Sequence, residues 1–260
     1  MNVLSLFDGM SCGRIALERA GIEVNKYYAS EIDKHAIKVS EANYPDIIRL
    51  GDINNWKSWD LDKIDLVIAG SPCQGFSFAG KQLAFNDPRS ALFFTFLDIL
   101  NTIKCYNPKV KFMLENVRMK KEYLDVISDK LGVRDVCINS DLFAQQNRIR
   151  HYWFNWDLPE LPNRPNWKGD FYQWRRTYFR KNKSGVSPCL TANMGTGGHN
   201  VPLKSESLED KLTPLECERL QTAPDNYTNH VSNTQRYKML GNGWTVDVIA
   251  HIFNNLQKSE

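Results

Sequence analysis

The sequence predicts an α/β protein with a doubly wound, mostly parallel, Rossmann-like sheet and a small irregular second domain. Short apolar runs rich in β-formers alternate with helical patterns from residue 1 to residue 155. Turn residues follow directly after the apolar runs 3–7 and 66–69, as they do at the carboxyl ends of parallel strands. This alternation ends at Asp157.

The elements of the first part follow one another in order. A strand at 3–7 leads through the turn 8–13 into a helix at 14–20, and Gly21 is well placed to end that helix. The further predicted elements are strand 27–30, helix 35–43, a short strand ending near 51–53, strand 66–69, helix 89–103, strand 110–114, helix 121–131, strand 133–138 and strand 151–155.

After residue 156 the alternation of strand and helix patterns stops, and helical pattern returns only near residue 213. Residues 159–205 hold five prolines, five glycines and a basic, aromatic block, which predicts a small domain at 157–205 within a larger one formed by 1–156 and 206–260. Helical pattern returns at Thr213-Pro214, a typical N-cap followed by a proline at the first helical position. The helix predicted at 246–256 is expected to pack back on the larger domain.

Composition excludes several classes of protein. With 42% hydrophobic and 24% charged residues, the chain is neither disordered, collagen-like nor a long coiled coil. No apolar run approaches 18 residues and no basic stretch precedes an apolar core at the amino end, so neither membrane insertion nor secretion is expected. Six cysteines without a C-x-x-C pair, and five scattered histidines, indicate a reducing, cytoplasmic setting and no metal site.

Positive charge is concentrated in one segment. Residues 164–183 carry seven basic side chains and one acid, although the whole chain has a net charge of only +3. Six aromatic residues are interleaved with these cations, a mixture that suits phosphate neutralisation beside stacking contacts. The segment therefore favours a nucleic-acid partner. The alternative is a solvated basic loop around a small aromatic core.

The turn after the first strand predicts a cofactor site. A strand, a glycine-bearing turn and a helix offer backbone N–H groups to a ligand, and Glu31 has the spacing of an acid that binds ribose hydroxyls. The turn reads Gly9-x-x-x-Gly13 and not G-x-G-x-x-G, which disfavours a nicotinamide oxidoreductase and favours a nucleoside without phosphates, such as S-adenosylmethionine. Asp52 is expected to accept a hydrogen bond from an adenine amino group. The alternative is that these are plain turn glycines.

A second set of polar residues follows neighbouring strands. Cys73 lies in Pro72-Cys73-Gln74-Gly75 after the fourth strand, and Glu115 follows the fifth. Arg150 precedes the aromatic strand and is expected to reach the same cleft. A thiol, a carboxyl and a guanidinium together can activate an electron-poor ring. Taken singly, each has a plainer alternative, an inert buried cysteine or a surface ion pair.

These motifs resemble those of the C5-cytosine DNA methyltransferases, in their compact prokaryotic or phage form. The resemblance runs over nearly the whole chain and rests on FDGMSCG at 7–13, SPCQG at 71–75, ENV at 115–117, QNRIR at 146–150, LTPLECERLQ at 212–221 and GNGWTVDVIAHI at 241–252. Three positions depart from the family pattern. Cys189 stands where threonine is common, 222–224 reads Thr-Ala-Pro in place of Gly-Phe-Pro, and Trp244 resembles the eukaryotic de novo branch.

The resemblance implies a DNA (cytosine-5)-methyltransferase of a restriction–modification type. In this reaction Cys73 adds to C6 of a flipped-out cytosine, and C5 takes the methyl group of S-adenosyl-L-methionine, leaving S-adenosyl-L-homocysteine. The implied catalytic residues are Cys73, Glu115, Arg148 and Arg150. The implied cofactor-binding residues are Phe7, Asp8, Gly9, Gly13, Glu31, Ile32, Asp52, Ile53, Pro72, Leu92, Asn242 and Trp244. The implied DNA-binding residues are Ser77, Arg89, Arg175, Arg176, Arg180, Lys181, Lys183 and Cys189.

The expected partner is double-stranded DNA, without a membrane or a metal, in the cytoplasm of a bacterium or a phage-infected host. The segment 157–184 that would read the target is short, so the protein is either a monomer that specifies few base pairs or a homodimer. Two alternatives stay open: methylation of an RNA cytosine on the same fold, and a catalytically silent DNA-binding paralogue.

Overall fold

A central sheet of seven strands organises the computed structural model, which describes residues 1–70, 91–196 and 201–257. Its strands are β1 (Asn2–Leu6), β2 (Lys26–Ser30), β3 (Ile48–Arg49), β4 (Leu66–Gly70), β5 (Lys111–Val117), β6 (Val136–Asn139) and β7 (Ile149–Phe154). Their order in the sheet is β3-β2-β1-β4-β5-β7-β6. Strands β1 to β5 are parallel, whereas β7 runs antiparallel to both β5 and β6. The predicted α/β fold with a mostly parallel sheet is confirmed.

Seven helices accompany these strands in the described residues. They are α1 (Cys12–Arg19), α2 (Lys34–Asn43), α3 (Ala91–Tyr106), α4 (Lys121–Leu131), α5 (Pro214–Leu220), α6 (Asn233–Asn242) and α7 (Val246–Phe253). The strands alternate their apolar side chains between two cores, one on each face of the sheet. Val3 packs in the core that includes α1 and α7, and Leu4 in the core that includes α3 and α4. The helix at the end of the chain packs against α1, as expected.

Several boundaries differ from the prediction for local reasons. Helix α1 begins at Cys12 because Ser11, in the left-handed region at φ 64°, already ends the turn. Strand β6 begins at Val136, three residues later than expected, since Gly132 ends α4 at φ 73° and the chain must then turn. The start of α5 agrees with its prediction: Thr213 caps it in a capping box with Glu216, and Pro214 is its first residue.

The segment predicted as an irregular second domain also contains a small sheet that the sequence pattern did not predict. Strands β8 (Phe171–Trp174), β9 (Phe179–Asn182) and β10 (Val201–Leu203) pair antiparallel in the order β10-β8-β9. Each has only three or four residues, and β8 and β9 are largely half-exposed, so no alternating apolar pattern marks them. The division of the chain into two domains stays a prediction. No helix in the described ranges has the length and apolar character needed to cross a membrane.

Candidate active site

A cavity of about 370 Å³ opens where β1, β4 and β5 end. Its walls come from both ends of the chain: Phe7, Gly9 and Glu31 lie on one side, and Asn242 and Trp244 on another. Glu115, Arg148 just before β7 and Arg150 on β7 complete it. This is the carboxyl edge of the sheet beside the neighbouring strands β1 and β4, where doubly wound folds place their ligands.

The turn after β1 is held in an unusual conformation by its contacts. Phe7, Gly9 and Ser11 all have positive φ, of 58°, 59° and 64°. The Gly9 N–H donates to Oε2 of Glu31 at 2.7 Å. Oε1 of Glu31 accepts from the N–H groups of Ile32 and Asp33, each at 2.8 Å. The acid at the end of β2 therefore fixes the turn at the end of β1 and still faces the cavity.

Asp8 stabilises this turn from inside the protein. Its carboxylate accepts hydrogen bonds from the hydroxyl groups of Ser5, Ser11 and Tyr27, the last at 2.7 Å. Burial raises the pKa of Asp8 above its ordinary value, although these three donors act in the opposite direction. Because both carboxylate oxygens already have protein partners, Asp8 lines the cavity mainly as a support of the turn.

A carboxylate with two protein partners lines the cavity. Arg150 on β7 forms an ion pair with Glu115, with its Nε 3.0 Å from Oε1. The indole Nε1 of Trp244 donates to the other oxygen, Oε2, at 3.1 Å. Both members of the Arg150–Glu115 pair are more than four-fifths buried, so solvent screens this pair less than it would a surface ion pair.

Arg148 lies behind this pair and joins three parts of the chain. Its guanidinium donates to the carbonyl oxygens of Leu190, Gly241 and Gly243 at 3.0, 3.1 and 2.8 Å. Burial, together with the neighbouring charge of Arg150, lowers the pKa of Arg148. These bonds give Arg148 a role in assembling the cavity, whereas Arg150 is the arginine beside the carboxylate.

Cys189 lies next to both guanidinium groups. Its Sγ is 3.3 Å from Nη1 of Arg148 and 4.0 Å from Nη2 of Arg150. Burial alone would raise the pKa of this thiol, but the two positive charges outweigh it and lower the pKa below its ordinary value. Sequence analysis placed Cys189 among the DNA-binding residues, which stays a prediction; the structure places its thiol beside Arg148 and Arg150.

The structure brings together nine of the predicted site residues on the cavity wall: Phe7, Asp8, Gly9, Glu31, Glu115, Arg148, Arg150, Asn242 and Trp244. Five others do not line it. Gly13 packs behind the indole of Trp244, where a Cβ would meet Ile68 at 2.3 Å. Ile53 is in the core, and Leu92 packs against it. Asp52 caps a short turn by accepting from the Asn54 N–H at 2.9 Å, and Ile32 is 73% exposed beside the cavity.

Four predicted residues, Pro72, Cys73, Ser77 and Arg89, lie outside the described residues. The last described residue before them is Gly70, whose register partner on β5 is Glu115. The predicted meeting of Cys73 and Glu115 at adjacent strand ends therefore stays a prediction, although the adjacency of β4 and β5 is confirmed.

Helix α6 supplies cavity residues that sequence reasoning missed. Gln235, Lys238 and Met239 line the cavity, and Lys238 pairs with Asp33, the cap of α2, at 2.6 Å. Lys238 and Asp33 are 205 residues apart. No local pattern marks such a contact, because Gln235, Lys238 and Met239 form neither an apolar stripe nor a motif.

The basic segment forms a β-hairpin. Strands β8 and β9 join through a tight turn closed by the Arg175 N–H, which donates to the Tyr178 carbonyl at 3.0 Å. The rings of Trp174 and Phe179 pack 4.9 Å apart at its base. Arg176 has φ 71° and is exposed at the tip with Tyr178. Of the other predicted cations, Arg180 and Lys183 are exposed and Lys181 pairs with Asp170 at 2.8 Å.

No group of three or more histidine, cysteine, aspartate or glutamate side chains that could hold a metal ion occurs among the residues described here.

Comparison with known proteins extends these findings. The family model for C-5 cytosine-specific DNA methylase matches residues 1–132 and 125–258. Type II methyltransferase M.Bsp6I from Bacillus sp. (strain RFL6) is 33% identical over 317 residues, covering 100% of this chain and 99% of that protein. Type II methyltransferase M.HhaI from Haemophilus parahaemolyticus is 29% identical, and the match covers 100% of this chain and 95% of that protein. The crystal structure of S. pombe Dnmt2 methyltransferase matches with a TM-score of 0.71 at 17% identity, covering 99% of this chain and 98% of that one.

Proposed function

Because the chain belongs to the C-5 cytosine-specific DNA methylase family, and is a DNA (cytosine-5)-methyltransferase, we propose that the cavity at the edge of its sheet is where the reaction occurs. Its relatives are type II methyltransferases, the class found in restriction–modification systems. They do not favour an RNA methyltransferase or a silent paralogue. The observation that carries the proposal is the Arg150–Glu115 pair, because it places a donor and an acceptor for one planar ring on the cavity wall.

The roles of the residues follow from what the ring needs. C5 of cytosine is a poor nucleophile, so the Cys73 thiolate adds to C6 and turns the ring into an enamine with nucleophilic C5. Glu115 bonds N3 and the exocyclic amine, and Arg150 bonds O2, which relieves the charge that builds up on the ring. After methyl transfer, loss of the C5 proton expels the Cys73 thiolate and restores the aromatic ring. The cytosine must leave the duplex, since no thiol reaches C6 in a stacked base pair.

The residues of the cavity fit S-adenosylmethionine. The volume of about 370 Å³ lies within the range of small-molecule sites. Glu31 faces the cavity with an acceptor for ribose hydroxyls, Phe7, Asn242 and Trp244 line it, and Ile32 next to Glu31 has an exposed apolar side chain. When bound, the cofactor supplies an electrophilic methyl group. The protein supplies the wall that orients it and excludes water.

The β8–β9 hairpin is proposed to bind the duplex. Its tip carries Arg176 and Tyr178, both exposed, and Arg180 and Lys183 extend the positive surface. Guanidinium and ammonium groups neutralise phosphates, and an exposed aromatic ring adds a stacking surface. Because the segment 157–184 is short, we also propose that the protein binds DNA as a homodimer. Sedimentation of a complex with one protein chain on cognate DNA would contradict the homodimer.

The first experiment measures transfer of tritiated methyl groups from S-adenosylmethionine to unmethylated duplex DNA, with bisulfite sequencing of the product. We expect methylation at cytosines in one repeated sequence context. Cys73→Ser should abolish transfer while cofactor binding, measured by equilibrium dialysis, is kept. Cys105→Ser is the matched control, because Cys105 is an exposed thiol on α3. Full transfer by Cys73→Ser would remove Cys73 from the role of nucleophile.

A further inference from the structure

Trp244 contacts the catalytic carboxylate directly. Its indole Nε1 donates to Oε2 of Glu115 at 3.1 Å, and the Nε of Arg150 lies 3.0 Å from Oε1 in an ion pair. Each carboxylate oxygen therefore has one protein partner and keeps a lone pair for a ligand. Contacts on opposite oxygens hold the plane of the carboxyl group, whereas Arg150 alone would leave it free to rotate into a bidentate pair.

The indole of Trp244 packs against two glycines, Gly13 and Gly70, where a side chain would crowd it. A Cβ on Gly70, the last residue of β4, would lie 2.9 Å from the indole Nε1 and 3.2 Å from the ring. A Cβ on Gly13 would lie 3.4 Å from the same ring and clash with Ile68. The indole thus fills the volume between the start of α1 and the end of β4, and it reaches Glu115 from there.

The backbone on both sides of Trp244 is also fixed. The carbonyl oxygen of Gly243 accepts from Arg148 at 2.8 Å and from Gln221 at 3.1 Å. On the other side, the buried Thr245 hydroxyl bonds to Ser140 at 2.8 Å and to Gln221 at 2.9 Å. With its backbone anchored and one side of its ring packed against Gly13 and Gly70, the indole is held with its N–H toward Glu115.

We propose that Trp244 is a positioning residue for the methyl-transfer reaction: its N–H orients Glu115 toward the ring of the target cytosine. This inference rests on the proposed role of Glu115. It differs from the role expected from sequence, in which Trp244 only forms part of the cofactor wall. The ring faces the cavity, but the N–H is committed to the carboxylate. A change that removes the N–H and keeps an aromatic ring separates the two roles.

Trp244→Phe is that change. We expect kcat at saturating cofactor to fall roughly 10- to 100-fold, the usual effect of losing one charge-assisted, orienting hydrogen bond. The Kd of S-adenosyl-L-homocysteine should stay within about twofold. Trp156→Phe is the matched control, because its indole also donates one buried hydrogen bond, to the Ile252 carbonyl at 2.8 Å, away from the cavity. It should leave kcat unchanged.

A double-mutant cycle with Glu115→Gln tests whether Trp244 acts through the carboxylate. If it does, Trp244→Phe should have almost no further effect on single-turnover methyl transfer in the Glu115→Gln background. Two results would overturn the proposal: the same loss in both backgrounds, or an unchanged kcat with a weakened Kd. If Glu115→Gln itself kept full turnover, the proposed role of Glu115 would fail instead.

A second variant covers the case in which Trp244→Phe does not fold, as judged by its melting temperature. Gly70→Ala keeps the indole N–H but pushes on the ring from 2.9 Å. We expect a loss of kcat with cofactor affinity kept, and again no further loss when it is combined with Glu115→Gln. Full activity of Gly70→Ala would contradict the positioning role.

Discussion

At the scale of single residues, the thiols of Cys189 and Cys217 have opposite electrostatic surroundings. Cys189 lies against Arg148 and Arg150, and its pKa is lowered in spite of burial. Cys217 is fully buried, and burial raises its pKa to about 12. A thiolate is therefore favoured at the first site and excluded at the second. Because the two pKa values shift in opposite directions, the two thiols should change the pH dependence of the unfolding free energy in opposite ways.

The expected effect is measured by comparing wild type with Cys189→Ser and Cys217→Ser. The lowered pKa of Cys189 makes its contribution to unfolding free energy grow as pH rises through the folded pKa, until it is complete above the unfolded value near 9. For Cys217 the sign is reversed: its contribution is complete below about pH 9 and falls at higher pH, because only the unfolded thiol ionises. Urea unfolding between pH 6.5 and 10, under reducing conditions, measures both.

We expect the loss of unfolding free energy relative to wild type to grow with pH in Cys189→Ser and to shrink with pH in Cys217→Ser. The same pH dependence in both variants would mean that the arginines do not stabilise the Cys189 thiolate.

At the scale of elements, the β8–β9 hairpin presents charge at a position fixed by a tight turn and a packed aromatic pair. A rigid hairpin with cations at its tip can place them against a groove without the entropy cost of ordering a loop. The turn needs Arg176 in the left-handed region, at φ 71°. The sequence pattern predicted the charge, but it did not predict the strands that carry it.

Replacing Arg175 and Arg176 together by alanine should weaken binding to duplex DNA and reduce its salt dependence. Each phosphate contact contributes about 0.9 to the slope of log K against log salt, so the slope should fall by about 2. The control removes two exposed lysines of α4, Lys121 and Lys130, and should leave the slope unchanged. Titrations at four salt concentrations measure both. An unchanged slope for the arginine variant would place the hairpin away from the DNA backbone.

The capping box of α5 allows a second prediction at this scale. The Thr213 hydroxyl accepts from the Glu216 N–H at 3.2 Å, and the Glu216 carboxylate accepts from the Thr213 N–H at 2.7 Å. Thr213→Ala leaves the first donor without its partner and should lower the free energy of unfolding by about 1 kcal/mol. Thr213→Ser keeps the hydroxyl and should stay within about 0.5 kcal/mol of wild type. Equal losses in the two variants would mean that the hydroxyl does not cap the helix.

At the scale of the whole molecule, residues 191–192 and helix α6 meet where their backbones come very close. A Cβ on Gly241 of α6 would lie 2.1 Å from the Thr191 carbonyl carbon and 2.3 Å from the Ala192 nitrogen. The guanidinium of Arg148 bonds to Leu190 and Gly241 across the same junction. The backbone atoms of 191–192 cannot shift without moving the chain around them. The absence of a side chain at Gly241 therefore sets how closely α6 approaches this segment.

Gly241→Ala should therefore cost more than about 3 kcal/mol of unfolding free energy and abolish methyl transfer. Gly132→Ala is the comparison, because Gly132 has φ 73° but nothing within 4 Å of its added Cβ. It should cost only about 1–2 kcal/mol and keep activity. Thermal unfolding and methyl transfer measure the two variants. Similar behaviour of both would show that the close approach at Gly241 can relax.

Much of the large sheet could be predicted from sequence, because its signals are local. The run at 66–69 and the glycine turn at 9–13 each combine a buried strand with turn chemistry, and Glu31 has a fixed spacing from that turn. The contacts that complete the site are not local. Trp244 and Glu115 are 129 residues apart, and neither residue type predicts the bond between them.

The composition of the cavity wall has a consequence for the order of biosynthesis. The turn at 7–9 leaves the ribosome before Lys238, Asn242 and Trp244, which follow about 230 residues later, roughly ten to fifty seconds at the usual speed of translation. A nascent chain that has already paired β1 with β4 still lacks one wall. We expect stalled chains that end before α6 to retain no methyl donor, because they lack this wall of the cavity.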